Sequence, residues 1–187
     1  MAELQPIEAA LEALLADVAP LSTEQVALDG AAGRVLAEPV TATLDVPPFD
    51  NSAMDGYALR AMDAGKRLPV SQRIAAGSTA RPLAVGTCAR IFTGGQIPPG
   101  ADCVVMQERV AEENGEALIP VDVPEGDNVR LQGRDVRQGD VLLNAGERLE
   151  AAALGHLAGQ GITEVRVRRR PRVALLSTGD EIVDPGT

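Results

Sequence analysis

Thirteen residues, Val46-Pro47-Pro48-Phe49-Asp50-Asn51-Ser52-Ala53-Met54-Asp55-Gly56-Tyr57-Ala58, concentrate two carboxylates, an amide, a hydroxyl, two prolines and a glycine. Such groups can orient water, a cation or a phosphate-bearing ligand. Pro47 and Pro48 each lock a φ angle and keep helix out of the entry to the polar run. Asp50, Asn51 and Ser52 can fold back on their own backbone. Gly56 admits a backbone angle closed to residues with a side chain. A loop pinned at both ends in this way suits a site, although the same residue types also make an ordinary turn capped by Asp and Asn.

Three later stretches carry comparable chemistry. In Arg90-Ile91-Phe92-Thr93-Gly94-Gly95-Gln96-Ile97-Pro98-Pro99-Gly100-Ala101-Asp102, a short strand runs into Thr-Gly-Gly and a proline turn. Adjacent glycines let backbone N–H groups approach a ligand anion, and the Thr93 hydroxyl can add a hydrogen bond. A glycine hairpin has the same spacing, and no GxxxxGK[ST] pattern is present. In Asp127–Asp140, Arg130 and Asp135 flank a glycine turn, either as ligand-facing groups or as one weak surface ion pair. Ser177-Thr178-Gly179-Asp180-Glu181 follows the apolar run Val173–Leu176. Beyond a buried strand, such acids can bind ligand or Mg²⁺, and the same run can cap a following helix.

The elements that must position these stretches are legible in part. Ile7, Ala10, Leu11, Leu14, Leu15 and Val18 recur at helical spacing between Pro6 and Pro20, so an amphipathic N-terminal helix is expected, packed on its own chain by default. Extended segments are expected near Gln25–Leu28 and Val35–Leu44. From Tyr57 to Leu143, Gly and Pro punctuate short apolar runs, which reads as a β-rich unit. Glu150–Gln160 reads as a second helix with Leu149, Ala153, Leu154 and Leu157 on one face, and Val165–Arg168 as a half-exposed strand. Val173–Leu176 reads as a buried parallel strand. The chain ends six residues after Glu181, before the helix that should cover such a strand, so it is expected to end just inside a following α/β domain. The expected fold class is α+β: a β-rich subdomain and a mixed helix/strand subdomain, then that first strand.

Composition narrows the function classes. The 187-residue chain has a formal charge of -10, 2% aromatic residues and no Trp, which argues against a base-stacking or general nucleic-acid binder. Its cations are Arg except for Lys66, and Arg suits bidentate binding of phosphate or carboxylate. Cys88 and Cys103 lack metal-binding spacing and read as buried reduced thiols in a cytoplasmic protein. No apolar run approaches the ~20 residues that span a membrane. His156, the only histidine, gives a Ser–His–Asp triad or a His-based zinc site little support. The Arg166–Arg172 run reads as a strand edge and linker.

The first stretch resembles the signature loop of the MoeA/gephyrin-E family of molybdopterin molybdenumtransferases, nearly residue for residue from Asp45 to Ala58, and the three later stretches resemble further family motifs in the same order. The resemblance covers the whole chain but only the N-terminal part of a family member. It implies a discontinuous subdomain (1–46 with 144–170), a β-rich insertion (47–143), and the start of a pterin-binding α/β domain at 171–187. It implies a cytoplasmic homodimer with a site shared between subunits, acting on adenylylated molybdopterin with molybdate as substrate and Mg²⁺ as cofactor, and releasing AMP. By the same resemblance Asp55 and Glu181 are catalytic, Asn51, Ser52, Thr93, Arg130, Asp135 and Ser177 bind substrate, and Asp180 with Glu181 holds metal. Arg134 departs from the family pattern, standing where many members carry an acid. Two other classes stay open: a gephyrin-like scaffolding module without catalysis, and a metal-dependent phosphohydrolase unrelated to molybdenum.

Overall fold

The structure is a computed structural model, described here for residues 6–179 and 181–183. In chain order the helices and strands are α1 (Ile7–Leu15), β1 (Thr23–Ala27), β2 (Val40–Thr41), β3 (Asn51–Ser52), β4 (Gly56–Leu59), β5 (Arg67–Ile74), β6 (Cys88–Ile91), β7 (Cys103–Met106), β8 (Ala111–Glu113), β9 (Glu116–Leu118), β10 (Val129–Arg130), β11 (Val141–Leu143), α2 (Ala151–Gly159) and β12 (Glu164–Arg168). The chain divides into two compact units, Met1–Val40 with Val141–Thr187, and Thr41–Asp140.

The discontinuous unit is built on the antiparallel pair β1–β12, in which Val26 faces Val165 and Glu24 faces Val167. Alternation along β12 buries Val165 and Val167, while Glu164 and Arg166 stay exposed, as a strand with one buried face requires. Those valines pack with Ala31, Leu36, Leu149 and Leu157, the last from α2, and Ala153 and Leu154 adjoin the same core. The helix ends in a Schellman turn: Ile162 N–H donates to Leu157 O and Gly161 N–H to Ala158 O, with Gly161 at φ +73°, where a side chain is disfavoured.

Two expectations for this unit fail. Helix α1 has no buried residue; Ile7 is 82% and Leu14 74% exposed. Its apolar stripe therefore does not pack on its own chain among the described residues. Residues 171–179 form no strand, and Leu175 and Leu176 are 94% and 89% exposed. A buried parallel strand needs neighbours for its N–H and C=O groups and cover on both faces, and no described residue supplies either.

The contiguous unit holds a six-stranded sheet in the order β7-β4-β6-β5-β9-β8. Its pairs are antiparallel except β5–β6, which is parallel with a register shift between Val70 and Gln72. Strand β4 is buried along its whole length. Tyr57 and Leu59 join one core with Leu68, Cys88, Cys103 and Val105, and Ala58 joins another with Ile74, Ala89, Ile91 and Val104. Both cysteines are free and buried, and burial pushes each thiol up to about 12, so neither is a nucleophile at neutral pH.

The carboxylate of Asp63, only 4% exposed, accepts from Arg60 Nε at 2.8 Å and Lys66 Nζ at 2.7 Å. It ties the short turn after β4 to the start of β5. Removing the acid strands two cations that still reach solvent, so Asp63→Ala is expected to cost about 2 kcal/mol, below the figure for a fully buried pair. A urea-unfolding comparison with wild type checks this.

Candidate functional site

Three of the four chemical stretches meet in the contiguous unit, and β3 is where they meet. Asn51 and Ser52 pair with Arg130 and Val129 of β10, and Asn51 also bridges to Gln96. Ser52 N–H donates to Gly95 O, and Gly94 N–H donates back to Ser52 O, at 2.9 and 2.8 Å. The Ser52 hydroxyl closes the following turn by donating to Met54 O at 2.5 Å. This turn presents Asp55.

Asp55 is half-buried. Its Oδ1 accepts from Thr93 twice, from the backbone N–H at 2.8 Å and from the hydroxyl at 2.7 Å. The Thr93 backbone N–H, then its hydroxyl, hold the Asp55 carboxyl below its ordinary value, and the nearby Arg90 charge adds to this against partial burial. The Thr-Gly-Gly segment thus differs from its expected role. Its Thr93 N–H binds the protein's own carboxylate, and the Gly94 and Gly95 amides are consumed by Ser52 O and Phe92 O. No amide of this run is left for a ligand anion.

Asn51 is 8% exposed, and its Oδ1 has no hydrogen-bond donor. Its Nδ2 reaches Phe49 O only at 3.5 Å. An orphaned buried acceptor costs ~1–3 kcal/mol, which a ligand donor can recover. Ser52 is fully buried, so its hydroxyl builds the turn rather than meeting a ligand.

Arg130 and Asp135 line a cavity of about 360 Å³ with Pro47 and Arg134. Among the described residues no ion pair joins Arg130 to Asp135, so the reading of this loop as a surface ion pair falls away. Arg134, the departure from the family pattern, makes this cavity cationic on balance, with two guanidiniums to one carboxylate. The loop is held by two acids across long sequence separations: Asp45 accepts from Gln138 N–H at 2.8 Å and Gln132 Nε2 at 2.7 Å, and Asp50, expected to fold back on its own backbone, accepts from Gln132 N–H at 2.7 Å.

Ser177 and Glu181 belong to the other unit, and both are exposed. Asp180 lies outside the described residues. Among the described residues no three His, Cys, Asp or Glu side chains converge as a metal site, and no step below is routed through Mg²⁺. The sequence reading also missed Arg90. Its signal was a lone cation in an otherwise apolar strand, Cys88–Ile91.

The profile described as the MoeA N-terminal region, domain I and II, matches residues 5–161. The chain belongs to the MoeA family. This MoeA chain is 46% identical over 169 residues to a molybdopterin molybdenumtransferase from a Nostoc species, covering 86% of the chain and 39% of that protein. It is 41% identical over 186 residues to the molybdopterin molybdenumtransferase of Synechococcus elongatus, covering 94% and 46%. The crystal structure of a molybdopterin biosynthesis MoeA protein from Pyrococcus horikoshii superposes with a TM-score of 0.83 at 38% identity, over 90% of this chain and 47% of that one. The MoeA chain thus spans less than half the length of these relatives. Among its described residues no helix is long and apolar enough to cross a membrane.

Acid sensitivity follows from the carboxylates. Glu24 is held low by its hydrogen bond from Arg34, Asp45 by Gln138 N–H, Asp55 by Thr93, Asp63 by Lys66 and Glu147 by Asn144 N–H. Each folded value lies below the unfolded one, so the unfolded chain takes up protons first as pH falls. The stability these groups contribute is complete above the unfolded values of about 4 and lost as pH drops through the folded ones. The urea midpoint is expected to be flat with respect to these groups from about pH 8 to 5 and to fall below about pH 4. A pH series of urea titrations checks it.

Proposed function

We propose that the complete protein containing this chain inserts molybdenum into molybdopterin, taking adenylylated molybdopterin and molybdate and releasing AMP. One observation carries the reading: in a chain of the MoeA family, the Asp55–Thr93 pair stands where the motif stretches converge. Asp55 is ionised at neutral pH, since Thr93 holds its pKa down. It is therefore a weak proton acceptor near pH 7, and the role that fits is orientation of water at the phosphoanhydride. Thr93 holds that carboxylate in place. Arg130 and Arg134 offer charge to phosphate or molybdate oxygens, and Asp135 can accept from a ligand N–H or O–H. The orphaned Asn51 Oδ1 offers a second acceptor.

The rest of the reading comes from the resemblance: the adenylylated form of the substrate, Mg²⁺, the cytoplasmic homodimer, the roles of Ser177, Asp180 and Glu181, and the assignment of 171–187 to a pterin-binding domain. The test uses the complete protein with adenylylated molybdopterin, molybdate and Mg²⁺. AMP release that requires molybdate is the expected result. Release of AMP from simple nucleotide anhydrides without molybdate favours a general phosphohydrolase. No release from intact substrate by folded protein favours the scaffolding module.

A further inference from the structure

Arg90 sits on β6 opposite Tyr57 of β4, and each of its contacts falls beside the Asp55–Thr93 pair. One terminal nitrogen donates to Gly56 O and Ile91 O, both at 2.8 Å. Gly56 directly follows Asp55, and Ile91 lies two residues before Thr93. The other terminal nitrogen donates to the Gln107 side chain, and the Gln107 backbone N–H donates to Asp55 O at 3.0 Å. The guanidinium lies over the Phe92 ring at 4.4 Å and the Tyr57 ring at 5.3 Å. It is half-buried and has no carboxylate partner among the described residues. A cation withdrawn from water without an ion pair is costly, and here backbone carbonyls and aromatic faces offset that cost. Arg73 lies over the same Phe92 ring at 4.5 Å, yet its guanidinium makes no hydrogen bond to either segment.

We propose that Arg90 is a positioning residue for Asp55: its planar fork staples the segment carrying Asp55 to the segment carrying Thr93 and braces both through Gln107. The inference rests on the reading of Asp55 as the reacting carboxylate. Lysine cannot replace the fork, because an ammonium on a flexible stem lacks the rigid donor plane.

The test uses the complete protein with Arg90→Gln, Arg90→Lys and, as a control outside the staple, Arg73→Gln. Three measurements are made: the Asp55 titration midpoint by carbon-13 NMR of labelled aspartate, exchange of the Thr93 amide, and the steady-state kinetics (kcat and KM) of molybdate-dependent AMP release. Arg90→Gln is expected to raise the Asp55 midpoint and to speed Thr93 exchange about tenfold or more. It should lower kcat about 10- to 100-fold with KM little changed, since displacement of a reacting group by about 1 Å has that effect. Arg90→Lys should return the midpoint toward wild type through its charge but leave exchange fast and kcat low. Arg73→Gln should match wild type in all three. Wild-type midpoint and exchange in Arg90→Gln overturn the proposal. A shifted midpoint and fast exchange with full kcat support the staple and sink the role given to Asp55. If wild type releases no AMP, midpoint and exchange still decide for or against the staple. If Arg90→Gln does not fold, Arg90→Lys decides alone: fast Thr93 exchange supports the proposal, and wild-type exchange overturns it.

Discussion

Gly56→Ala is expected to cost at least about 3 kcal/mol and to leave little soluble folded protein. A Cβ built on Gly56 meets Val105 O at 2.0 Å and Val105 C at 2.8 Å. Both are backbone atoms of the neighbouring strand β7, paired with β4 from Gly56↔Met106 to Leu59↔Cys103. A crowded side chain can rotate away, but here relief requires parting two paired strands whose residues are almost all buried. That puts the change at or beyond the upper end of ordinary overpacking, ~1–3 kcal/mol. Gly155→Ala provides the contrast. It lies inside α2 with nothing within 4 Å of its added Cβ, so it is expected to stabilise by about 0.5–1 kcal/mol through the unfolded chain. Urea midpoints of the two variants should move in opposite directions.

Asp55→Ala is expected to lower molybdate-dependent AMP release by about 10²–10³-fold, the range seen when a group aimed at the reacting atoms is removed. Stability should change little, because Asp55 is only half-buried and its side chain holds only Thr93. Asp55→Asn separates charge from shape. The amide oxygen can still accept from Thr93 N–H, so a loss close to that of alanine assigns the effect to the carboxylate charge. Because Thr93 lowers the Asp55 pKa, the acid limb of kcat attributable to Asp55 should fall below the usual carboxylate range. A limb between about pH 6 and 7 that disappears in Asp55→Asn would overturn the assignment and make Asp55 a general base. Steady-state kinetics across pH, with circular dichroism of each variant, supply both checks.

Gly56 also shows how far the sequence could be read. Its presence in a polar turn suggested a special backbone angle, yet it is absent from the glycines with positive φ; the glycine is required by the approach of Val105. A turn composition records local torsions, whereas the distance to a strand far along the chain is set by sheet register. The Thr-Gly-Gly run repeats the point. Its amides looked free in one dimension, and in the fold Asp55 and Ser52 O use two of them.

Local pattern did determine a good deal. Helix α2 with its Leu157 face, the alternation of Val165 and Val167 and the strand-sized runs between Gly and Pro all follow from local pattern, which is a property of neighbouring residues. Asp55 and Thr93 were also named from the sequence as candidates. Only the tertiary structure decided that they touch, that Arg90 lies behind them, that Asn51 keeps an orphaned acceptor, and that the Ser52 hydroxyl is spent on its own turn. It decided equally that no described residue covers the α1 stripe and that 173–176 forms no strand. Burial and pairing depend on what the rest of the chain brings to each surface, and spacing along one segment carries no information about its partner.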